Sequence, residues 1–500
     1  MINKYSNIKL SRDAKEHMYI QLFYAIKEMI EKEILKSNEK LPPIRKLADL
    51  LNVNNVTVVK AYDLLEKNKY VYKRVGSGTF VLPQQNLDRE IENFEKFEDE
   101  IYEDLRLMDR GQIQISDDMI NFASATPTPQ LFPIDDFKNV LNEVLDRDKG
   151  FAFGYQDSKG FYPLRESIVE YLKFYKIITS TDNIQIISGA QQGIDVVAKV
   201  LLNYGDTIIV ESPTYTGAIA SFKTRGTKIV EVPIKKDGID LEKLELYIKE
   251  YKPKAIYTMP NFQNPTGYSH SLIKKKKLLE IVKKNNLIII EDDYLSDLNF
   301  YTDDNFTLKS MDNDENVIYI KSFSKIFMPG LRLGFLVVPL RFKNEIIAAK
   351  HTSDISTSSL IQRAFDLYLR KGIWKKHIKY MKKVYKERFD VMIEKLEELP
   401  NEISYEKPKG GINFWIDLPN KISVNEFYRD AIKEKIVFVP GSIFYPSKTN
   451  SNSLRLSIAS VYPEEIKRGM DIFNNLLKKY LDIDKKKYYF ENREFYRPIL

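Results

Sequence analysis

The sequence has 500 residues, 43% hydrophobic and 29% charged with a net charge of +7, a mixture suited to soluble domains and long enough for two or more cores. It holds no cysteine and 4 histidines, none spaced as a zinc motif, which excludes disulfides and thiolate metal sites and leaves no metal site expected. No apolar run reaches the roughly 18 residues of a membrane-spanning helix, and Met1 to Leu10 lack the apolar core of a signal peptide, so a cytoplasmic chain with no membrane partner is expected. The charge is unevenly placed. Residues 1–83 carry 15 Lys/Arg against 9 Asp/Glu, whereas residues 84–118 carry 4 against 12. A basic head before an acidic neck points to a polyanion partner for the head, although two solvated helix faces would give the same imbalance.

In chain order, the first periodic segment is Met18 to Leu35, where Ile20, Phe23, Ile26, Ile30 and Ile34 fall three or four apart and predict an amphipathic helix. Further helices are expected over Ile44–Leu51 and Asn55–Lys67, then a hairpin over Tyr70–Val81 around Gly76-Ser77-Gly78. Leu47, Ala48 and Leu51 face inward, a short turn follows, and Asn54 can cap a helix that begins with polar residues. This is the helix-turn-helix layout, in which the start of the second helix faces the major groove. Asn55, Thr57 and Lys60 are then candidates for bases or phosphates, with Asn55 able to pair bidentately with adenine. Arg45 would lie along the DNA backbone, and the loop with Arg74 and Gly76 would enter the minor groove as a wing. A small helical docking domain is the alternative reading. The stretch from Leu41 to Val81, with LPPIRKLA, VTVVKAYDLLE and GSGTFV, resembles the winged helix of the GntR superfamily. That family often has Ser-Arg where Asn54-Asn55 stand here, and loss of the arginine implies an A·T-rich operator.

Residues 84–118 read as an acidic linker, partly helical through Phe94, Phe97, Ile101 and Leu105. From Met119, apolar runs alternate with helical stretches: Ile184–Ile187, Thr207–Val210, Lys228–Val232, Ala255–Thr258, Leu287–Ile290, Val317–Ile320 and Gly334–Val338. Continuous apolar strands between helices predict an α/β domain with a mostly parallel sheet. After His351 a smaller α+β subdomain is expected, ending near Leu481. The Lys/Tyr-rich residues 482–500 remain unassigned.

The body carries five groups of residues that suit a pyridoxal phosphate site. Such a site needs an amine nucleophile, an acid for the pyridine nitrogen, a partner for the phenolic oxygen, a ring stacker and a phosphate cup. Lys325, in a turn after Val317–Ile320, is the Schiff-base candidate. Most lysines are solvated loop residues, but Ser322, Ser324 and Arg332 beside it are phosphate donors. Asp292 follows Leu287–Ile290 at a strand's end, where α/β sheets bind ligands, and would keep a pyridine nitrogen protonated; it also reads as a helix cap. Tyr294 can hydrogen-bond the phenolic oxygen, as can the amide of Asn264 in a tight Asn-Pro-Thr-Gly turn that is common in itself. Tyr215, after Thr207–Val210, can stack on the pyridine or be an ordinary core tyrosine. Ser188, Gly189, Ala190 and Gln191 end one strand and open a helix whose first N–H groups make an anion cup.

The order SGAQQG, ESPTYTG, NPTG, EDDY, SFSK, Arg332 seven residues after the lysine, PGSIFY and LRLS resembles the fold type I aminotransferases over about residues 119–481. The resemblance implies that Arg455 clamps a substrate carboxylate bidentately and that Tyr155 reaches the phosphate bound by the partner subunit. Ala125 stands where relatives often have glycine, which leaves the shape of the substrate pocket open. A GntR-type head before such a body resembles the MocR subfamily of bacterial regulators. That implies a head-to-tail homodimer on operator DNA that senses a small amine or amino acid, the effector displacing Lys325 from the cofactor. The alternative is an aminotransferase that carries a DNA-binding head, since every residue required for transamination is present.

Overall fold

The computed structural model describes residues 18–82 apart from short gaps, 118–301, 306–447 and 451–482, with a few positions before residue 18. The chain divides into two compact units, Met1–Asp104 and Leu105–Leu500. The expected linker and tail lie outside the described residues except at their edges, and Gly76 lies outside them too.

The head comprises α1 (Met18–Glu31), α2 (Ile44–Leu51), α3 (Asn55–Lys67), β1 (Val71–Arg74) and β2 (Gly78–Val81). One small core joins them, with Leu22, Ile26, Ile30, Leu47, Ala48, Val58, Ala61, Leu65, Val71 and Val81 all buried. The first helix stops earlier than its periodicity suggested. Past Glu31 the backbone leaves the helical path, Leu35 N–H bonds back to Met29 O, and Leu35 rather than Ile34 enters the core. Sequence period alone could not choose between those two neighbours. Asn54 caps α3 through Oδ1, which accepts the Val56 N–H at 3.0 Å. Tyr62 on α3 donates its hydroxyl to Pro42 O at 2.8 Å, fixing α3 against the entry to α2. β1 and β2 pair antiparallel from Val71↔Val81 to Arg74↔Gly78.

The body opens with β3 (Ile120–Asn121). Its main sheet uses β4 (Ile184–Ile187), β5 (Thr207–Ser212), β6 (Lys228–Lys235), β7 (Gly238–Ile239), β8 (Ala255–Thr258), β9 (Ile288–Asp293), β10 (Val317–Ser322) and β11 (Gly334–Val337). Their spatial order is β4-β11-β10-β9-β8-β5-β6-β7. Neighbours from β10 through β9, β8 and β5 to β6 are parallel, and β11 runs antiparallel between β10 and β4. Successive strand residues divide between two cores, one on each face. Ile208, Val210, Ile288, Ile290, Ile318 and Ile320 face one cluster, while Ile209, Ile256, Ile289 and Val317 face the other. Burial on both faces is why these strands are apolar throughout and show no polar alternation. The edge strand β7, too short to carry a pattern, pairs antiparallel with β6.

The C-terminal part adds β12 (Ser404–Tyr405), β13 (Asn413–Asp417), β14 (Ile436–Val437), β15 (Val439–Pro440) and β16 (Ser453–Ser457). The order β12-β13-β16-β15 forms an antiparallel sheet. β14 pairs in parallel with β3, so the start of the body is built into its C-terminal subdomain.

Candidate functional site

The parallel run of strands puts the carboxyl ends of β5, β8, β9 and β10 at one edge of the sheet, where open α/β folds leave a crevice. The segments after β5, β8 and β10 carry Tyr215, Asn264 and Lys325, and Asp292 is the penultimate residue of β9 itself. Register sets part of the geometry: Asp292 lies opposite Ile320 in the β9–β10 ladder, two residues before Ser322. Lys325 follows in the turn after β10 and is half-buried. Burial, then the positive charges of Arg455 and Arg332, bring its amine down to about 8. More of it is therefore neutral near physiological pH, the form that adds to a carbonyl.

Asp292 is fully buried. Tyr257 donates its hydroxyl to Oδ2 at 2.6 Å, whereas Oδ1 is buried with no partner. Burial pushes this carboxyl up to about 7, helped by Asp293 and opposed by the Tyr257 hydrogen bond and Lys321. A buried carboxylate oxygen left open is an acceptor waiting for a donor. A protonated pyridine nitrogen is such a donor, and its charge would reverse the desolvation penalty.

Arg455, on β16, is buried among neutral groups. Nη1 donates to Asn264 Oδ1 at 3.0 Å and Nη2 to Ala123 O at 2.6 Å, while Nε has no partner. The guanidinium lies 5.2 Å from the Phe444 ring centroid. Among the described residues no carboxylate pairs with it, so burial lowers its pKa. A buried cation without an anion is the natural seat for a ligand carboxylate. Because the Asn264 oxygen is held by Arg455, its NH2 is left to donate to a phenolic oxygen.

Gly189 begins the helix Ala190–Leu201 at φ 89°. A Cβ there would come within 2.5 Å of Arg332 Nη2, so only glycine admits the arginine, which donates to Ser188 O at 2.9 Å. The first N–H groups of the helix lack intrahelical partners and make the expected cup. Gly217 is likewise required, since a Cβ would strike Gln191 Oε1 at 2.2 Å and the Tyr215 ring at 2.6 Å. Tyr215 is anchored through its hydroxyl to that same Gln191 oxygen at 3.2 Å. Ser324 N–H donates to Ser322 Oγ at 3.2 Å, which leaves both hydroxyl protons for a phosphate.

Two expected residues sit differently. The Ser188 N–H donates to Gln192 Oε1 at 2.7 Å and its hydroxyl to Asp354 Oδ2 at 2.9 Å, so it supports the cup from outside. Tyr294 donates to Phe262 O at 2.6 Å and accepts from Asn413 Nδ2 at 3.0 Å, so its proton is engaged away from a phenolic oxygen. Tyr155, expected at the partner subunit's phosphate, is 85% exposed in this chain. Sequence reasoning missed Tyr257 and Asn413. Tyr257 had a legible signal, a tyrosine in an otherwise apolar strand whose hydroxyl must find a partner.

In the head, Arg45, Asn54, Asn55 and Lys60 are exposed, and Lys60 Nζ lies 5.4 Å from the Tyr19 ring centroid. Thr57 is half-buried at the side of α3. Arg74 pairs with Gly78 at the loop end of the hairpin.

Comparison with known proteins agrees with both units. Residues 117–473 match the aminotransferase class I and II family, and residues 18–81 match the gntR family of bacterial regulatory proteins. The body resembles 2-aminoadipate transaminase of Thermus thermophilus, 34% identical over 72% of this chain and 90% of that protein. A solved structure from that organism, the α-aminoadipate aminotransferase LysN complexed with N-(5'-phosphopyridoxyl)-L-leucine, gives a TM-score of 0.69 at 33% identity over 74% of this chain and 94% of that one. Across both units the chain is 30% identical to the HTH-type transcriptional regulator NorG of Staphylococcus aureus, over 88% of this chain and 100% of NorG. By its body the chain belongs to the class I and II aminotransferases, with a gntR-family head before it in the arrangement of the MocR group.

Proposed function

We propose that this chain is a cytoplasmic transcription regulator that binds operator DNA through its head and senses a small amine or amino acid at a pyridoxal phosphate site in its body. One observation carries the reading: a cluster with an amine, an open buried carboxylate oxygen and a buried guanidinium bonded only to neutral groups is joined in one chain to a gntR-type head. Pyridoxal phosphate, when bound, supplies an electrophilic carbon and an electron-withdrawing ring.

The chain's own groups do the rest. The helix N-terminus at Ala190, with Ser322, Ser324 and Arg332, would hold the phosphate. Asp292 Oδ1 would accept the pyridine N–H, and Tyr215 would lie against the ring. Lys325 would supply the resident amine, its lowered pKa favouring the neutral form. Arg455 takes the effector carboxylate, giving up a neutral partner for a charged one. Because Arg455 also holds Asn264 and Ala123 O, a ligand there pulls on the turn after β8 and on the segment after β3 together. A ligand with different affinity for two arrangements of these segments shifts their populations, which is all a sensor requires.

The test is to add candidate amines and follow the cofactor absorbance and operator affinity in the same samples. The right amine is expected to move both, with a coupling of about 1–3 kcal/mol. Lys325→Ala is expected to abolish the borohydride-reducible link to the cofactor, and Arg455→Ala to remove the response to carboxylate-bearing amines. Steady transamination with operator binding indifferent to the amine would favour the second reading, an aminotransferase with a DNA-binding head. The complete Lys325, Asp292 and Arg455 set keeps that reading open.

A further inference from the structure

The outward face of α3 carries a pair of side chains that the head's own packing does not use. Val58, Ala61, Tyr62 and Leu65 point into the core. On the opposite side Val56 is 56% exposed and Val59 37% exposed. Asn55 and Lys60 are exposed beside them. Val56, Val59 and Lys60 are spaced three and four apart and so form one stripe. The Asn54 cap at the Val56 N–H puts Val56 in the first turn of α3, the turn that helix-turn-helix heads present to base edges.

Exposed valine is a poor choice for a helix standing in water. It loses rotamer freedom there and forms helix less well than alanine, lysine or glutamate. Two such residues on one outward stripe therefore indicate a ligand with an apolar feature at this spot. The patch is two side chains wide and bordered by an amide and an ammonium, too small for a stable protein interface. Its surroundings fit a polyanion, since residues 1–83 carry 15 Lys/Arg against 9 Asp/Glu. The major groove offers one apolar feature of matching size, the C5-methyl group of thymine.

We infer that Val56 and Val59 determine operator specificity by packing on thymine C5-methyl groups in the major groove. This rests on the reading of the head as an operator binder and adds to it which bases face the first two turns of α3. Asn55 reads the neighbouring adenine edge or a phosphate, and Lys60 the backbone.

The test uses the full-length chain. Duplexes are selected from a pool with a randomised core, and the recovered duplex is remade with each thymine in turn replaced by deoxyuridine, which removes the methyl group and leaves base pairing intact. At one or two positions affinity is expected to fall about fourfold, the worth of burying one methyl group. In Val56→Ala one of those penalties is expected to vanish, and in Val59→Ala the other. Alanine is the better helix former, so both variants keep their fold. If uridine is harmless everywhere, or its penalty persists in both variants, the inference is overturned while operator binding stands. A patch that docks protein instead gives that same result, with duplex affinity unchanged in both variants. If the chain selects no duplex at all, the operator-binding reading and this inference fall together.

Discussion

Asp292 shows how one residue can oppose stability and serve a site. Its carboxyl is fully buried and raised from 3.8 to about 7 in the chain without cofactor. Between those values the folded state holds a proton that the unfolded state has lost, so stability falls as pH rises through the window. Asp292→Asn removes that burden. In chemical denaturation of the cofactor-free protein, the variant is expected to gain on the parent by about 2 kcal/mol more at pH 8 than at pH 5. The same variant is expected to hold pyridoxal phosphate more weakly, because the acceptor for the pyridine N–H is gone. An equal difference at both pH values would show that the carboxyl is not shifted by its surroundings. Lys325 works with the opposite sign. Its amine is lowered to about 8, so its contribution to stability improves as pH rises from there towards 10.5.

At the scale of elements, three helices show what a single side chain can secure. On α2 and α3 the exposed Arg45 and Asn55 are expected to act differently. Arg45→Ala should weaken binding to all duplexes and reduce the salt slope by about one, whereas Asn55→Ala should relax preference at one base pair, costing about 1–3 kcal/mol there. Binding isotherms at several salt concentrations separate the two, and unchanged isotherms for both would remove α3 from the interface. On the helix Ile373–Glu397, Arg388 is fully buried and donates from Nη1 to Ala459 O at 2.7 Å and to Ile458 O at 3.2 Å. Nη2 reaches Thr128 Oγ1 at 3.4 Å, and the rings of Tyr385 and Tyr462 lie 5.2 and 5.3 Å away. It therefore ties the segment after β16, which carries Arg455, to the segment after β3. Arg388→Met is expected to strand Ile458 O, leave Ala459 O with the Tyr385 hydroxyl alone, and destabilise the body by about 2–4 kcal/mol, read by denaturation. It should also weaken carboxylate-bearing effectors more than it weakens the cofactor. Wild-type stability would mean that the carbonyls find other donors.

At the scale of the molecule, three aromatic residues near the start of the body are left uncovered among the described residues. Phe151, Phe153 and Tyr155 are 81%, 69% and 85% exposed. A patch of that kind marks an interface, and a homodimer that seats it would also bring Tyr155 to the partner's phosphate. Phe151→Ser with Phe153→Ser is expected to shift the chain towards monomer in sedimentation. At concentrations where it is monomeric, pyridoxal phosphate affinity should fall if Tyr155 completes the partner's site. A monomeric variant with unchanged cofactor affinity would place Tyr155 outside the site. Linked half-sites also predict that such a monomer loses most of its operator affinity.

The sequence by itself determined the kinds of element, their order and the places of the candidate site residues along them. Strands buried on both faces must be apolar throughout, so the seven runs from Ile184 to Val338 were legible, and the turns after them carry Tyr215, Asn264, Asp292 and Lys325 because ligands meet a parallel sheet at its carboxyl edge. Asn54 was legible as a cap from its side chain and place. Tertiary structure decided what depends on a neighbour distant in the chain. Whether Ile34 or Leu35 goes inside is settled by where the backbone leaves α1. That the hydroxyls of Ser188 and Tyr294 turn away from the cofactor depends on Asp354, Asn413 and the Phe262 carbonyl, groups set beside them only by folding. The open oxygen of Asp292 and the exposed valines of α3 belong to the same class: a side chain's spare capacity appears only once every neighbour has been counted.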